Sequence, residues 1–314
     1  MSEVVLIIDP NAVVYGKALQ QRFPALKIRT ATAGAAASAY RDVTVIIANA
    51  RSVTLDLIRA APGLRWIQTL TSGVDPLPAL LGSHRQVMLT SARGIHGPQM
   101  SELAFLLMLA LTRRLPLMLA NQQARQWQPA PPPLLAGKTA VILGLGAVGR
   151  ALALRCRAFD IRVIAVSALM GPVAGVERIL PRSELLRAAG MADFLIVLTP
   201  LEARTRHLVG TRVFEAMKPT AFLINLSRGS VVDEAALAIA LTTDRIAGAG
   251  VDVFEHEPLP ADSPLWGAPN TIVSPHIGGR SDCYTEQVLP VLLENVHCYL
   301  SGRIQDMKNA VLVG

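Results

Sequence analysis

The sequence predicts an α/β protein built from two doubly wound parallel-sheet domains. Short apolar runs alternate with helix-like segments along almost the whole chain, the rhythm of a parallel sheet covered by helices. A glycine-rich turn follows one of these runs directly. The length, 314 residues, exceeds the roughly 100–200 residues of one domain and favours two.

Taken in order, Val4–Ile8, Val43–Ala48, Leu64–Leu70 and Val87–Leu89 read as strands of the first domain. Gln99–Met118 is apolar almost throughout and reads as one helix buried on most of its surface, between domains or subunits. Pro129–Gly137 carries prolines at 129, 131, 132 and 133, which prevent regular helix and make it an extended linker. Strands are then expected at Thr139–Leu143, Arg162–Val166, Phe194–Leu198, Ala221–Asn225, Gly248–Val253 and Thr271–Ser274. Helices are expected at Ala147–Phe159, Ser183–Ala189 and Asp233–Leu241. Tyr284–Leu300 closes the pattern as an amphipathic helix with Val288, Leu292 and Val296 at helical spacing. The expected division is 1–95 with 284–314 in one domain and 96–283 in the other, giving two crossings and a hinge around a cleft.

Composition narrows the function. With 51% hydrophobic and 17% charged residues and a mean hydropathy of +0.40, a disordered scaffold is excluded. The longest apolar run, Leu103–Leu111, falls short of the roughly 20 residues of a membrane span. Residues 1–8 lack a basic segment and a cleavage site, so the expected location is the cytoplasm. Cys156, Cys283 and Cys298 form no C-x-x-C pair and are odd in number, which supports neither a disulfide framework nor a zinc cage and leaves buried or inert thiols. The net charge is +7, but 25 of the 30 basic residues are Arg, scattered, in a chain only 4% aromatic. That distribution fits a small anionic ligand rather than nucleic acid.

Gly144–Leu145–Gly146–Ala147–Val148–Gly149 is G-x-G-x-x-G between a strand and a helix. In that context Gly144 makes the tight turn, Gly146 admits a pyrophosphate to the backbone, and Gly149 allows close packing, with the phosphates on the helix N-terminus. A Rossmann-type dinucleotide site is therefore expected, with Ala147 and Val148 in its first helical turn. The acidic residue that usually ends the second strand is absent: Ser167 stands there, 18 residues after Gly149, and no Asp or Glu follows until Glu177. Without a carboxylate the 2′-phosphate of NADPH escapes repulsion, and Ser167 can donate to it; no Arg or Lys follows until Arg178. The expected cofactor is NADP(H) in preference to NAD(H).

Three further segments end strands on the same side: 225–229 with Arg228, 252–258 with Glu255, His256 and Glu257, and 274–279 with His276. Arg228, Glu257 and His276 lie 29 and 19 residues apart, yet successive strand ends bring such residues together. Alone, each type is commonest as a surface charge or a structural histidine.

Together with the glycine-rich turn, these segments resemble the D-isomer-specific 2-hydroxyacid dehydrogenase family. The resemblance spans nearly the whole chain, through Thr71–Ser72–Gly73–Val74–Asp75, LGLGAVGR, PLEARTRHLVG, INLSRGSVVDE, DVFEHEP and SPHIGG. It implies a flavodoxin-like substrate domain into which the Rossmann-type domain is inserted, and a homodimer joined through Gln99–Met118. It implies that Arg228 pairs with the substrate carboxylate and carbonyl oxygen. His276 matches the acid/base, and Glu257, the Glu before Pro, matches its partner, predicting a raised His276 pKa. Ser72, Gly73 and Val74 match the loop whose amides hold the substrate carboxylate. Asp252 matches the residue holding the nicotinamide carboxamide, Ser227 lies beside the ring with Leu226 and Gly278 adjacent, and Thr199 and Pro200, with Thr205, flank the adenosine.

The activity this implies is reduction of a small 2-keto acid, of the glyoxylate or hydroxypyruvate type, to its D-2-hydroxy acid. A bulkier or phosphorylated hydroxy acid is the alternative substrate, with Arg280 as its anchor; formate or phosphite oxidation belongs to neighbouring branches. A dinucleotide-sensing binding protein is the alternative outside enzymes. Only a short tail follows the last helix, so the regulatory domain of some longer relatives is not expected.

Overall fold

The computed structural model describes residues 3–31, 40–82, 84, 86–169 and 171–311. Its contacts divide the chain into two units, 1–95 with 281–314, and 96–280. The first unit opens with β1 (Val4–Ile8), α1 (Ala12–Arg22), β2 (Lys27–Ala31), β3 (Val45–Ala48), α2 (Leu55–Ala60), β4 (Trp66–Thr69), α3 (Leu77–Leu80) and β5 (Met88–Thr90). The second unit begins with α4 (Gly97–Thr112), α5 (Leu115–Gln123), β6 (Thr139–Leu143), α6 (Ala147–Ala158), β7 (Arg162–Val166) and β8 (Arg178–Leu180). It continues through α7 (Leu185–Met191), β9 (Phe194–Val197), α8 (Thr211–Ala216), β10 (Phe222–Asn225), α9 (Glu234–Thr242), β11 (Gly248–Val251) and β12 (Thr271–Val273). The chain then re-enters the first unit with α10 (Tyr284–Leu300) and β13 (Ala310–Val311).

The first sheet has the order β13-β5-β4-β3-β1-β2, parallel except for β13, which runs antiparallel to β5. Its parallel part is the 2-1-3-4-5 order of flavodoxin-like folds. Both faces are covered, so the central strands β1 and β3 are continuous apolar runs and alternate residues enter opposite cores. Leu6, Ile46 and Ile67 pack on one side with Leu57 and Leu77, and Ile7, Ile47 and Trp66 on the other with Leu19, Val288 and Leu292. Val288, Leu292 and Val296 are fully buried, as their spacing on α10 predicts; each such side chain contributes about 1.5–3 kcal/mol of burial.

The second sheet is entirely parallel, in the order β12-β11-β10-β9-β6-β7-β8. The order reverses between β6 and β9, and ligands bind in the crevice beyond such a switch point. Val141, Leu143 and Val197 face a core closed by α7, α8 and α9, while Ala140, Ile142 and Ile196 face α4 and α6.

The single helix expected over Gln99–Met118 is two helices. They are bent by 62°, with Arg114 in the left-handed region at φ 54°. Pro116 lacks an amide donor and its ring collides with the carbonyl one turn earlier, so the helix must end and restart with the proline in its first turn. The burial differs as well: α4 has most residues buried, but α5 has none. Among the described residues no single helix is long and apolar enough to cross a membrane. The strands β2, β8 and β13 were absent from the sequence reading; they are short edge strands with exposed or mixed residues, and lack the apolar run that marks a central strand. Short α3 and α8 escaped for want of a full helical period.

Cys156 and Cys298 are buried and Cys283 is exposed. Burial pushes the Cys156 thiol up to about 12, so it stays protonated and unreactive at neutral pH. A thiol-disulfide reagent at pH 8 should therefore modify only Cys283 rapidly in the native protein and all three cysteines after denaturation; rapid native modification of Cys156 would contradict this packing.

Candidate active site

The carboxyl ends of three neighbouring strands, β10, β11 and β12, carry Arg228, Glu257 and His276 within the second unit. The imidazole Nδ1 of His276 lies 2.8 Å from each carboxylate oxygen of Glu257. A carboxylate only accepts, so Nδ1 carries the proton and Nε2 is left as the working edge. Glu257 is 16% exposed and His276 37% exposed, which shields the pair's contact and leaves part of the ring accessible.

His276 has a left-handed backbone, φ 52°, a conformation that costs roughly 1–2 kcal/mol and must be held from outside. Asp252, 1% exposed, does the holding. Its Oδ1 accepts from the Ser274 hydroxyl at 2.5 Å and the Ile277 amide at 3.0 Å, and its Oδ2 from the Gly278 amide at 2.9 Å. A Cβ on Gly278 would meet Leu103 at 2.8 Å and Asp252 Oδ2 at 2.9 Å, so glycine lets the loop wrap closely without displacing either side chain.

Arg228 leads into a 3-10 turn, Gly229–Val231, and its Nη1 donates to the Ser227 carbonyl at 2.7 Å. Asn225, buried, shapes the approach: its Oδ1 accepts from the Ser227 amide at 3.2 Å and its Nδ2 donates to the Arg228 carbonyl at 3.3 Å. Gly229 rests directly on the next loop, where an added Cβ would fall 1.9 Å from the Phe254 carbonyl carbon and 2.2 Å from the Glu255 nitrogen. The turn bearing Arg228 and the loop bearing Glu257 are thus one packed body.

The alternatives Glu255 and His256 occupy other places. Glu255 pairs with His207 at 2.5 Å, and His256 is exposed. The Glu255 amide donates to Glu234 at 2.6 Å. Burial raises the Glu234 carboxyl above its usual range; the Glu255 amide opposes this, and the charges of Glu255 and Glu257 add to it. The sequence reading missed Asn225, Ser274, His207 and Glu234 as shaping residues. All four lie inside the quoted motifs, but their spacing alone assigns them no partner.

At the switch point Gly144 adopts φ +106°, and a Cβ on it would lie 2.6 Å from the Thr199 amide. A Cβ on Gly149 would lie 2.4 Å from the Gly144 carbonyl, whereas one on Gly146 would meet nothing within 4 Å. Gly146 starts α6 with no side-chain cap, which leaves the first-turn amides of Ala147, Val148 and Gly149 to an outside acceptor. These residues fit a dinucleotide pyrophosphate. Ser167 ends β7, half-buried, with its Oγ accepting from the Leu169 amide at 3.1 Å.

Thr199 is buried and Pro200 exposed at the end of β9. Thr205 is fully buried, its hydroxyl donating to the Pro200 carbonyl at 2.8 Å and accepting from the Glu202 amide at 2.6 Å, so it shapes that loop. Leu226 and Ser227 are buried beside Asn225, and Arg280 is exposed at the end of the unit. Ser72, Gly73 and Val74 follow β4 in the first unit, where the Thr71 hydroxyl donates to the Gly73 carbonyl at 2.8 Å. Among the described residues no group of His, Cys, Asp and Glu side chains is arranged to hold a metal ion.

Comparison with known proteins agrees with this geometry. The profile of the D-isomer specific 2-hydroxyacid dehydrogenase NAD binding domain matches residues 105–278. Glyoxylate/hydroxypyruvate reductase B of Pectobacterium atrosepticum is 33% identical over 267 residues, 83% of each chain. The structure of a D-isomer specific 2-hydroxyacid dehydrogenase family protein from Aeromonas salmonicida superposes with a TM-score of 0.90 at 32% identity, covering 100% of both chains. An NADPH-dependent glyoxylate/hydroxypyruvate reductase from Sinorhizobium meliloti, solved with NADP and sulfate, superposes with a TM-score of 0.84 at 26% identity, covering 100% of this chain and 99% of that one. With more than half of its length inside that profile, and its glycine-rich turn and strand-end histidine both within the match, the chain belongs to the D-isomer specific 2-hydroxyacid dehydrogenase family and is an oxidoreductase that uses a nicotinamide dinucleotide.

Proposed function

We propose that the enzyme reduces a small 2-keto acid, of the glyoxylate or hydroxypyruvate type, to the D-2-hydroxy acid, with NADPH preferred to NADH. The observation that carries this reading is the His276–Glu257 pair at 2.8 Å, formed between the loops after β12 and β11, with Arg228 in the turn after the adjacent β10. The reductase names of the relatives support the substrate class, and the NADPH-dependent relative supports the cofactor preference.

The bound nicotinamide supplies the hydride that adds to the 2-carbon of the keto acid. As the carbonyl oxygen gains charge, His276 donates a proton from Nε2, and Glu257, at Nδ1, keeps the ring oriented. The planar guanidinium of Arg228 makes two parallel contacts to carboxylate and carbonyl oxygen. The Ser72–Val74 amides supply a second hold on the carboxylate. A carboxylate offers about four acceptor sites; Asp252 uses three on its own loop, and the fourth serves the carboxamide. Gly144, Gly146, Gly149 and the amides of Ala147 and Val148 hold the pyrophosphate, and Thr199 and Pro200 border the adenosine.

The same reading makes the enzyme a homodimer joined through α4 and α5. Leu115, Leu117, Met118 and Leu119 of α5 are exposed, and Trp127 is 94% exposed, an apolar surface that a second copy would cover.

Loss of reduced-nicotinamide absorbance, measured with NADPH and NADH against glyoxylate, hydroxypyruvate, pyruvate and a bulky 2-keto acid, tests this reading. Fast turnover of the small acids with NADPH is expected; silence with every acid despite tight cofactor binding would overturn it. His276→Ala should keep its affinity for NADPH while kcat falls about 10²–10⁴-fold, and an unchanged kcat would remove His276 from the mechanism. In Arg228→Lys a point charge replaces the fork, so KM for the keto acid should rise at least about tenfold; an unchanged kcat/KM would place the carboxylate elsewhere.

A further inference from the structure

The sequence offers no cation within ten residues after Ser167, but the sheet brings a second stretch of chain, one that carries a cation, to the same end. β7 and β8 run parallel, with Leu180 opposite Val166, and the Ser167 amide donates to the Leu180 carbonyl at 3.0 Å. The chain leaving β8 through Pro181 and Arg182 therefore emerges at the same sheet end, beside Ser167. Arg182 is half-buried and has neither a hydrogen bond nor an ion pair through its guanidinium among the described residues.

The acids nearby are occupied. Glu184 pairs with Arg187 at 2.6 Å, and Glu177 pairs with Arg162 at the opposite end of β7. Residues 161–176 contain no Asp or Glu, so nothing on the loop after β7 repels an anion. The Ser167 Oγ accepts from the Leu169 amide, which leaves its proton to donate. Arg178 is a poorer candidate: it lies opposite Ile164, three residues before Ser167, roughly 10 Å back along the strand from the sheet end where Ser167 emerges.

We propose that Arg182 and Ser167 form the subsite for the 2′-phosphate of NADP(H), with Arg182 as the residue that determines cofactor specificity. This rests on the NADPH preference proposed above. An arginine facing phosphate gains charge-assisted hydrogen bonds, whereas the uncharged 2′-hydroxyl of NADH gains little from it. The cation would act on affinity and leave the hydride and proton steps at the other end of the dinucleotide untouched.

Dissociation constants measured by nicotinamide fluorescence for NADPH and NADH, in the wild type, Arg182→Gln and Arg178→Gln, test the assignment. Competition by adenosine 2′,5′-bisphosphate and by 5′-AMP reads the same subsite without the nicotinamide. In Arg182→Gln, NADPH and the bisphosphate should bind about tenfold or more weakly, with NADH and 5′-AMP unchanged, which also shows that the variant is folded. Salt should weaken NADPH binding less in that variant than in the wild type, and Arg178→Gln should keep the preference. A preference that survives in Arg182→Gln, or disappears in Arg178→Gln, overturns the subsite while leaving the NADPH reading intact. A wild type that binds both cofactors equally overturns both.

Discussion

Much of this site depends on one buried carboxylate. Asp252 gathers the Ser274 hydroxyl and the amides of Ile277 and Gly278, and so forces the loop after β12 into the curve that puts His276 at φ 52°. A left-handed histidine does not persist on its own propensity. Three hydrogen bonds to a charged acceptor, each stronger than a neutral one, offset that cost. The ring then meets Glu257 with both oxygens equidistant, and the pair's geometry is a consequence of backbone held elsewhere.

The second constraint is the absence of side chains at contacts between loops. Gly229 allows the Arg228 turn to lie on the Phe254–Glu255 peptide, and Gly144 allows the glycine-rich turn to touch the backbone at Thr199. In each case an added methyl would overlap main-chain atoms, which cannot rotate away as a side chain can. The glycines of this unit serve two purposes: Gly144, Gly149 and Gly229 close protein against protein, whereas Gly146 has open space before it, suited to a ligand.

The parallel sheet turns local sequence into a common site. Every strand of the second unit points the same way, so residues after β6, β7, β9, β10, β11 and β12 all emerge at one end whatever their separation in the chain. The His276–Glu257 pair, the Arg228 guanidinium and the glycine-rich turn occupy different positions along that end. The two faces of the sheet, packed on α4 and α6 and on α7, α8 and α9, keep it rigid.

The sequence by itself determined the α/β class and the dinucleotide turn; that Glu257 rather than Glu255 pairs with His276 came from the family resemblance, and the structure bears it out. The first two are written in local signals: the period of the central strands and the fixed spacing of Gly144, Gly146 and Gly149. It also marked α10 correctly from end to end, because Val288, Leu292 and Val296 form an unbroken buried stripe. The edge strands were illegible, since a strand paired on one side needs no apolar run, and with β8 unseen the chain leaving Leu180 could not be brought to the sheet end where Ser167 emerges. The break between α4 and α5 needed the steric consequence of Pro116 to outweigh apolar content. Only the tertiary structure decided that Asp252 braces the His276 loop and that Glu255 belongs to His207, because such partners are chosen by distance across strands, a quantity that spacing along a chain does not contain.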